Sequence, residues 1–294
     1  MRVLVFGKTG QVACELARFD DVTNLSRVDA DLSDPLACAQ AIRKHAPDAV
    51  INAAAYTAVD SCEDEEAIAT IVNGHSPAAM AQVCADLKIP FVHISTDYVF
   101  DGQGTEPFQP SDPVDPLNAY GRSKLVGEQG VAAAGGAYCI LRTSWVISAH
   151  GDNFVKTMLR LSEMRNALSV VSDQIGGPTA AAAIAQACIT IAAQLREQGA
   201  AISGVHHLSG APDVSWAELA RAIFTLKERE VNVTDIPTSK YPTPAKRPLS
   251  SRLNCLKLTQ VYGIERPDWR QNLSDIISEL DVTTQDQTTE RKPL

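Results

Sequence analysis

The sequence predicts an α/β chain: a doubly wound parallel sheet carrying a second, smaller α/β domain. Three observations lead there. Short, continuously apolar runs such as Val3-Leu4-Val5-Phe6 alternate with stretches of helical period, as strands buried on both faces of a parallel sheet require. The first run feeds a glycine-bearing turn and then a helical stretch, the opening of a strand–turn–helix unit. A length of 294 residues, 45% hydrophobic and 21% charged, suits one large or two small cores.

Taken in order, Val3-Leu4-Val5-Phe6 is the first strand, followed by the turn from Gly7 and a helix over 11–19. A strand over 48–52, a helix over 76–87, a strand over 91–95, a helix over 119–129 and a strand over 139–142 continue the alternation. After Trp145 the pattern changes. A helix is expected over 151–165, and an Ala-rich one over 180–196 is apolar nearly all round and so buried. Residues 205–208 read as a last sheet strand and 216–229 as an amphipathic helix. The proline-rich segment 237–248 is an extended loop, because each X-Pro step disfavours helix at the residue before it. The sheet domain is thus expected over 1–146 and 180–210, and the smaller domain over 147–179 and 211–280. Residues 281–294 are polar, lack periodicity and read as a mobile tail.

Composition removes several classes of function. The net charge of −9 argues against a phosphate-backbone surface, which needs clustered Lys and Arg. No run approaches the roughly 18 apolar residues of a membrane span, and Met1-Arg2 leads directly into a strand rather than a signal-peptide pattern. A cytoplasmic protein is expected. The seven cysteines are scattered without a Cys-x-x-Cys pair, which reads as reduced, buried thiols.

The turn Gly7-Lys8-Thr9-Gly10-Gln11-Val12-Ala13 lets backbone N–H groups approach a pyrophosphate at the start of a helix, the Rossmann-type arrangement. Alone, it is equally a tight turn. Asp31 and Leu32 stand where the loop after a second strand of such a unit would border the adenine of a dinucleotide; Ser33 or Asp34 also fits the N-cap of a helix with Pro35 in its first turn. Asp29 stands about 20 residues beyond the turn, as an NAD-ribose ligand would, whereas Ser26-Arg27 suits the 2′-phosphate of NADPH. NADPH is the favoured cofactor, with NADH open.

Tyr120 and Lys124 are the most informative pair. Four apart on a helix, they share one face and follow a strand ending in Ser95-Thr96-Asp97. As a ketone is reduced its oxygen gains charge, and a donor must then be within reach. Tyr120 is that donor, Lys124 is expected to lower its pKa, and Thr96 can hydrogen-bond the same oxygen. An exposed pair without function is the plain alternative for any isolated Tyr-x-x-x-Lys. Trp145 is read as a substrate contact or as core filling, and Arg247 as a diphosphate ligand or a solvated charge. His206 and His207 point to opposite faces of one strand and read as structural.

These motifs, with Asn52 to Asp60, Ser95 to Gly102, Arg142 to Val146 and Tyr241 to Pro248, fall in order from residue 1 to about 280. Together they resemble the dTDP-4-dehydrorhamnose reductases, extended short-chain dehydrogenase/reductases. The resemblance implies reduction of the 4-keto group of dTDP-4-dehydro-L-rhamnose, a nucleotide sugar, to dTDP-L-rhamnose. It makes Tyr120, Lys124 and Thr96 the catalytic set. It places Gly7, Thr9, Gly10, Gln11, Val12, Asp31, Leu32, Ala55, Tyr56 and Thr57 along the cofactor, with Tyr120 and Lys124, and Thr96, Asp97, Trp145 and Arg247 at the sugar nucleotide. It leaves a homodimer open. Related dehydratases place Glu after Thr-Asp, where this chain has Tyr98, and epimerases more often end this strand in Ser-Ser or Ser-Ala. A non-catalytic dinucleotide-binding subunit of the same fold is the other reading, but it would be expected to have lost part of the triad. A divalent ion at a subunit contact is the one further ligand the resemblance leaves open; Glu15 alone does not make a hard-cation site and the helix over 180–193 offers no carboxylate, so no metal is expected.

Overall fold

The computed structural model describes residues 1–290. The chain runs β1 (Val3–Phe6), α1 (Gln11–Leu16), β2 (Val22–Leu25), α2 (Pro35–His45), β3 (Ala49–Asn52), α3 (Glu66–Thr70), a π-helical turn (Ile71–His75), α4 (Ser76–Leu87), β4 (Phe91–Thr96), α5 (Ala119–Ala134) and β5 (Tyr138–Thr143). It continues with β6 (Val146–Ile147), α6 (Phe154–Ser162), β7 (Ala167–Val171), β8 (Ile175–Gly176), β9 (Thr179–Ala180), α7 (Ala181–Gln198), β10 (Gly204–Leu208), β11 (Val214–Ser215), α8 (Trp216–Leu226), β12 (Asn232–Ile236), β13 (Ser250–Ser251), α9 (Leu256–Tyr262) and α10 (Trp269–Glu290).

Six strands form one parallel sheet in the order β10-β5-β4-β3-β1-β2. Strand alternation sends side chains to both faces. Val3 and Val5 enter a core with α1 and α7, whereas Leu4 and Phe6 enter the core of α2 and α4. Both faces are therefore buried, which is why the strands read as unbroken apolar runs. The order reverses between β1 and β3, so the C-terminal ends of these strands open a crevice at a topological switch point.

A further apolar core joins α6, α8 and α10 with Leu168 and Val170 of β7, and includes the buried Trp269. Strands β7 and β12 pair in parallel beside it.

Several boundaries differ from expectation. Helix α1 ends at Leu16, three residues early, and α6 starts at Phe154, where Asn153 caps it by accepting the Lys156 N–H at 3.2 Å. Asp34 is the N-cap of α2, with Pro35 in its first turn. Helix α10 runs to Glu290 through most of the segment read as a tail, since no Gly or Pro interrupts it; residues 291–294 lie outside the described residues. All seven cysteines are free and six are buried. His206 and His207 are fully buried on opposite sides of β10, against Tyr262 and Phe100 respectively.

Candidate active site

Strand β4 delivers the reactive residues. His93 and Ser95 face α5, and the strand ends at Thr96-Asp97. The Thr96 hydroxyl accepts the Tyr98 N–H at 3.2 Å and donates to Asp97 Oδ1 at 3.1 Å. Below it, the carboxylate of Glu128 accepts from Ser95 Oγ at 2.6 Å and from Arg142 Nε and Nη2 at 2.9 and 2.6 Å. This buried, doubly bonded ion pair locks α5 to the ends of β4 and β5.

Helix α5 starts at Asn118, whose Oδ1 accepts the Gly121 N–H at 2.8 Å. A Cβ on Gly121 would fall 2.1 Å from the Tyr98 carbonyl oxygen, so only glycine lets the first turn press onto the segment after β4. Tyr120 is thereby set beside Thr96, close enough for its hydroxyl to act on the phenol. One turn on, Lys124 is buried and donates Nζ to the Ile94 carbonyl at 2.7 Å. The expected set of Tyr120, Lys124 and Thr96 is therefore gathered at one strand end.

The charges differ from expectation in one respect. Burial, with the Asp97 charge next, raises the Tyr120 pKa, and the Thr96 hydrogen bond opposes them. The Lys124 Nζ gives its hydrogen bond to the Ile94 carbonyl. Burial brings Lys124 itself down to about 8, against the pull of Glu128. Asp97 is raised to about 6 by burial, opposed by hydrogen bonding to Ser251 and Thr96. Its Oδ2 is buried and without a partner.

The dinucleotide side lies at the ends of β1, β2 and β3. Gly7 takes φ +117°, and Gly10 is the N-cap of α1, where an added Cβ would meet nothing within 4 Å. Thr9 and Gly10 are exposed, whereas Val12 turns into the core. Asn24, unforeseen from sequence, donates Nδ2 to the carbonyls of Gly7 and Ala13, both at 2.9 Å, and fixes the turn. The Gln11 amide oxygen accepts from Ser148 Oγ and Asn153 Nδ2 at 2.8 and 3.0 Å, tying the turn to the start of α6.

Asp31 caps the Ser33 N–H at 2.8 Å, and Leu32 packs into the core. Asp29 is bound back to Ser26 through its N–H and hydroxyl at 2.9 and 2.6 Å, while the Arg27 side chain is 81% exposed. Ala55 and Tyr56 are half-buried and Thr57 is exposed. Asn73, in the π-helical turn, accepts the Tyr56 N–H at 2.8 Å and donates to its carbonyl at 3.0 Å. It also donates to Ser123 Oγ at 2.9 Å, so one amide joins the cofactor-side loop to the Tyr120 helix. Its only sequence signal is a polar residue inside a helical stretch.

Just beyond the end of β5, Trp145 adopts φ +47° and stacks on Trp216, centroids 3.5 Å apart. Gly176 leaves it room, since a Cβ there would fall 2.9 Å from Trp145 Cε2. Arg247 pairs with Asp60 at 2.8 Å, and its Nη1 is buried without a partner. The solvated-charge alternative is thus replaced by a held guanidinium.

Glu15 does not stand alone in space: His150 and Glu279 bring ligand atoms within 4.8 Å of it. Arg18 already engages all three, at 3.3 Å from Glu15 and 3.2 Å from His150, and by a short bond to Glu279. The Arg18 guanidinium, itself half exposed, therefore sits among these three groups.

The RmlD substrate binding domain family model matches residues 1–282. The chain is 44% identical over 286 residues to a dTDP-4-dehydrorhamnose reductase of Sinorhizobium fredii, covering 94% of this chain and 97% of that protein. It is 40% identical to that of Salmonella typhimurium, with 97% and 99% covered. Among solved structures, a dTDP-4-dehydrorhamnose reductase of Clostridium acetobutylicum superposes with TM-score 0.89 at 34% identity, over 96% of this chain and all of that one, 100%. The Bacillus anthracis enzyme, in complex with NADP, gives 0.87 at 32% identity, with 95% and 99% covered. With this fold and this strand-end constellation, the chain belongs to the RmlD family of dTDP-4-dehydrorhamnose reductases.

Proposed function

We propose that the chain reduces the 4-keto group of dTDP-4-dehydro-L-rhamnose to give dTDP-L-rhamnose, with NADPH as the favoured hydride donor and NADH as a second. The observation that carries this is the Tyr120 phenol buried beside the Thr96 hydroxyl at the end of β4, with Lys124 one turn on. The residues fit a dinucleotide: Gly10 faces open space at the start of α1, and Asp29 is engaged by Ser26, while Arg27, 81% exposed and only loosely paired with Asp31 at 3.9 Å, can turn to a 2′-phosphate.

When bound, the nicotinamide supplies hydride. The chain's own residues do the rest. Gly7, Thr9, Gly10, Gln11 and Val12 hold the pyrophosphate, Asp31 and Leu32 border the adenine, and Ala55, Tyr56 and Thr57 line the cofactor's length. Tyr120 gives its proton to the ketone oxygen, Thr96 orients that oxygen, and Lys124 holds the ribose. Asp97 and Arg247 offer the sugar nucleotide the buried polar atoms that lack partners within the chain, and Trp145 borders it. The sheet domain (1–146, 180–210) would take the cofactor, and the smaller domain (147–179, 211–280) the sugar.

No helix of the described residues is long and apolar enough to cross a membrane. A cytoplasmic place and a homodimer belong to the same proposal; sedimentation reads the latter. The deciding experiment follows nicotinamide absorbance on adding the 4-keto nucleotide sugar. Consumption supports the reductase; cofactor binding without turnover would replace it by a regulatory dinucleotide-binding role.

A further inference from the structure

His93 has no part in the roles assigned above, yet it lies against the lysine. It sits in the middle of β4 with no exposed surface, above Phe91, the two ring centroids 6.2 Å apart. Helix α5 makes room for it at Gly127, where a Cβ would lie 3.4 Å from His93 Nε2 and 2.2 Å from the Asn73 carbonyl oxygen.

Its tautomer follows from its neighbours. Asn52 Oδ1 accepts the Ala54 N–H at 3.2 Å, which leaves Asn52 Nδ2 facing His93 Nδ1 at 3.2 Å. An amide nitrogen only donates, so Nδ1 is the acceptor and a neutral ring carries its proton on Nε2. The ring is neutral: burial, with the Lys124 charge added, holds its pKa well below the usual histidine range.

Nε2 faces Lys124 Nζ at 3.5 Å, against 2.7 Å from Nζ to the Ile94 carbonyl. An ammonium has only donors to offer, so with the proton on Nε2 the two groups face each other donor to donor, at the outer limit of hydrogen-bond distance. A neutral amine has a lone pair that accepts the same N–H. The other groups around the pair do not compensate. Glu128, one turn along α5, is committed to Arg142 and Ser95, and Asn52 of β3 is committed to the ring itself.

We propose that His93 is a positioning residue for Lys124: it presents an imidazole N–H to the lysine nitrogen and favours the neutral amine over the ammonium. A hydrogen bond that strengthens only in the neutral form makes the ammonium a readier proton source. Through the reductase reading, on which this rests, such a lysine helps to restore the phenol after Tyr120 has given up its proton. His93 itself neither gains nor loses a proton.

The test is a titration of the lysine in the free protein, read from 13C-labelled ε-methylenes by NMR, with Lys124→Met assigning the signal. Lys124 is expected to titrate near 8 in the unaltered chain. His93→Gln keeps an amide N–H where Nε2 stood and should leave the midpoint within about 0.3 unit; His93→Asn withdraws it and should raise the midpoint by at least about 0.5 unit. Asn52→Leu frees Nδ1 to take the proton, turns Nε2 into an acceptor and should raise the midpoint as well; it serves if His93→Asn does not fold. The alkaline limb of kcat/KM should move with the midpoint. An unchanged midpoint in the folded His93→Asn or Asn52→Leu protein, or equal shifts in the Gln and Asn variants, overturns the proposal. Absence of turnover in the unaltered chain would overturn the reductase reading instead and leave the titration legible.

Discussion

Replacing Asp97 by asparagine tests the electrostatics of the strand end most directly. Asp97 is 4% exposed, and burial raises its pKa from 3.8 to about 6. Between those two values the folded chain binds a proton that the unfolded chain does not, so stability falls as pH rises through this window. Above it the cost is complete: about 2 pKa units at about 1.4 kcal/mol each, or about 3 kcal/mol. Asparagine has the same shape and no charge. Asp97→Asn should therefore be more stable than the parent by about 3 kcal/mol at pH 8, with the advantage fading to near zero below about pH 4. Urea unfolding of both proteins across this range measures it. A constant difference at every pH, or none at pH 8, would show that burial does not raise the pKa of this carboxyl. The same substitution should weaken binding of the sugar, because the orphan Oδ2 is read as a ligand atom.

Tyr120→Phe should leave cofactor affinity nearly unchanged while turnover drops at least about a hundredfold, the scale of lost general acid catalysis; full turnover would refute the donor role. Lys124→Met should weaken both cofactor binding and turnover, and a loss confined to sugar affinity would mean that the lysine serves elsewhere. Glu128→Gln leaves Arg142 buried with half its pairing and should cost about 3–5 kcal/mol in urea unfolding; a neutral result would mean that the pair does not hold α5 in place.

The parts legible in the sequence share one property: their signal is local. Strands β1, β3, β4 and β5 are apolar because both sheet faces are covered, so composition alone exposes them. Tyr120 and Lys124 reveal themselves because helix geometry converts a spacing of four into a shared face. Strand β2 (Val-Thr-Asn-Leu) and strand β12 (Asn-Val-Thr-Asp-Ile) lack such a run, since each pairs with one neighbour at a sheet edge. Asn24, Asn73, His93 and Glu128 were not found as site supports because their partners lie far away in sequence: Asn73 meets Ser123, and Glu128 meets Ser95 and Arg142. The hydrogen-bond partner of Lys124 is hidden for a different reason. Spacing says that two groups share a face but not where an ammonium finds its oxygen, and the Ile94 carbonyl is a partner that no side-chain motif records.

Asn118 uses both ends of its amide: the oxygen caps α5 at Gly121, and the nitrogen holds the Lys246 carbonyl at 2.8 Å. Lys246 adjoins Arg247 in the proline-rich loop, whose guanidinium rests on Asp60. A nucleotide diphosphate that draws Arg247 off Asp60 must therefore tug on the very residue that starts the Tyr120 helix. With Arg247 and Tyr120 in the roles proposed above, the grip on the far end of the substrate and the aim of the acid at its ketone would be mechanically one adjustment, so fragments lacking the diphosphate should be poorly reduced even when their sugar is intact.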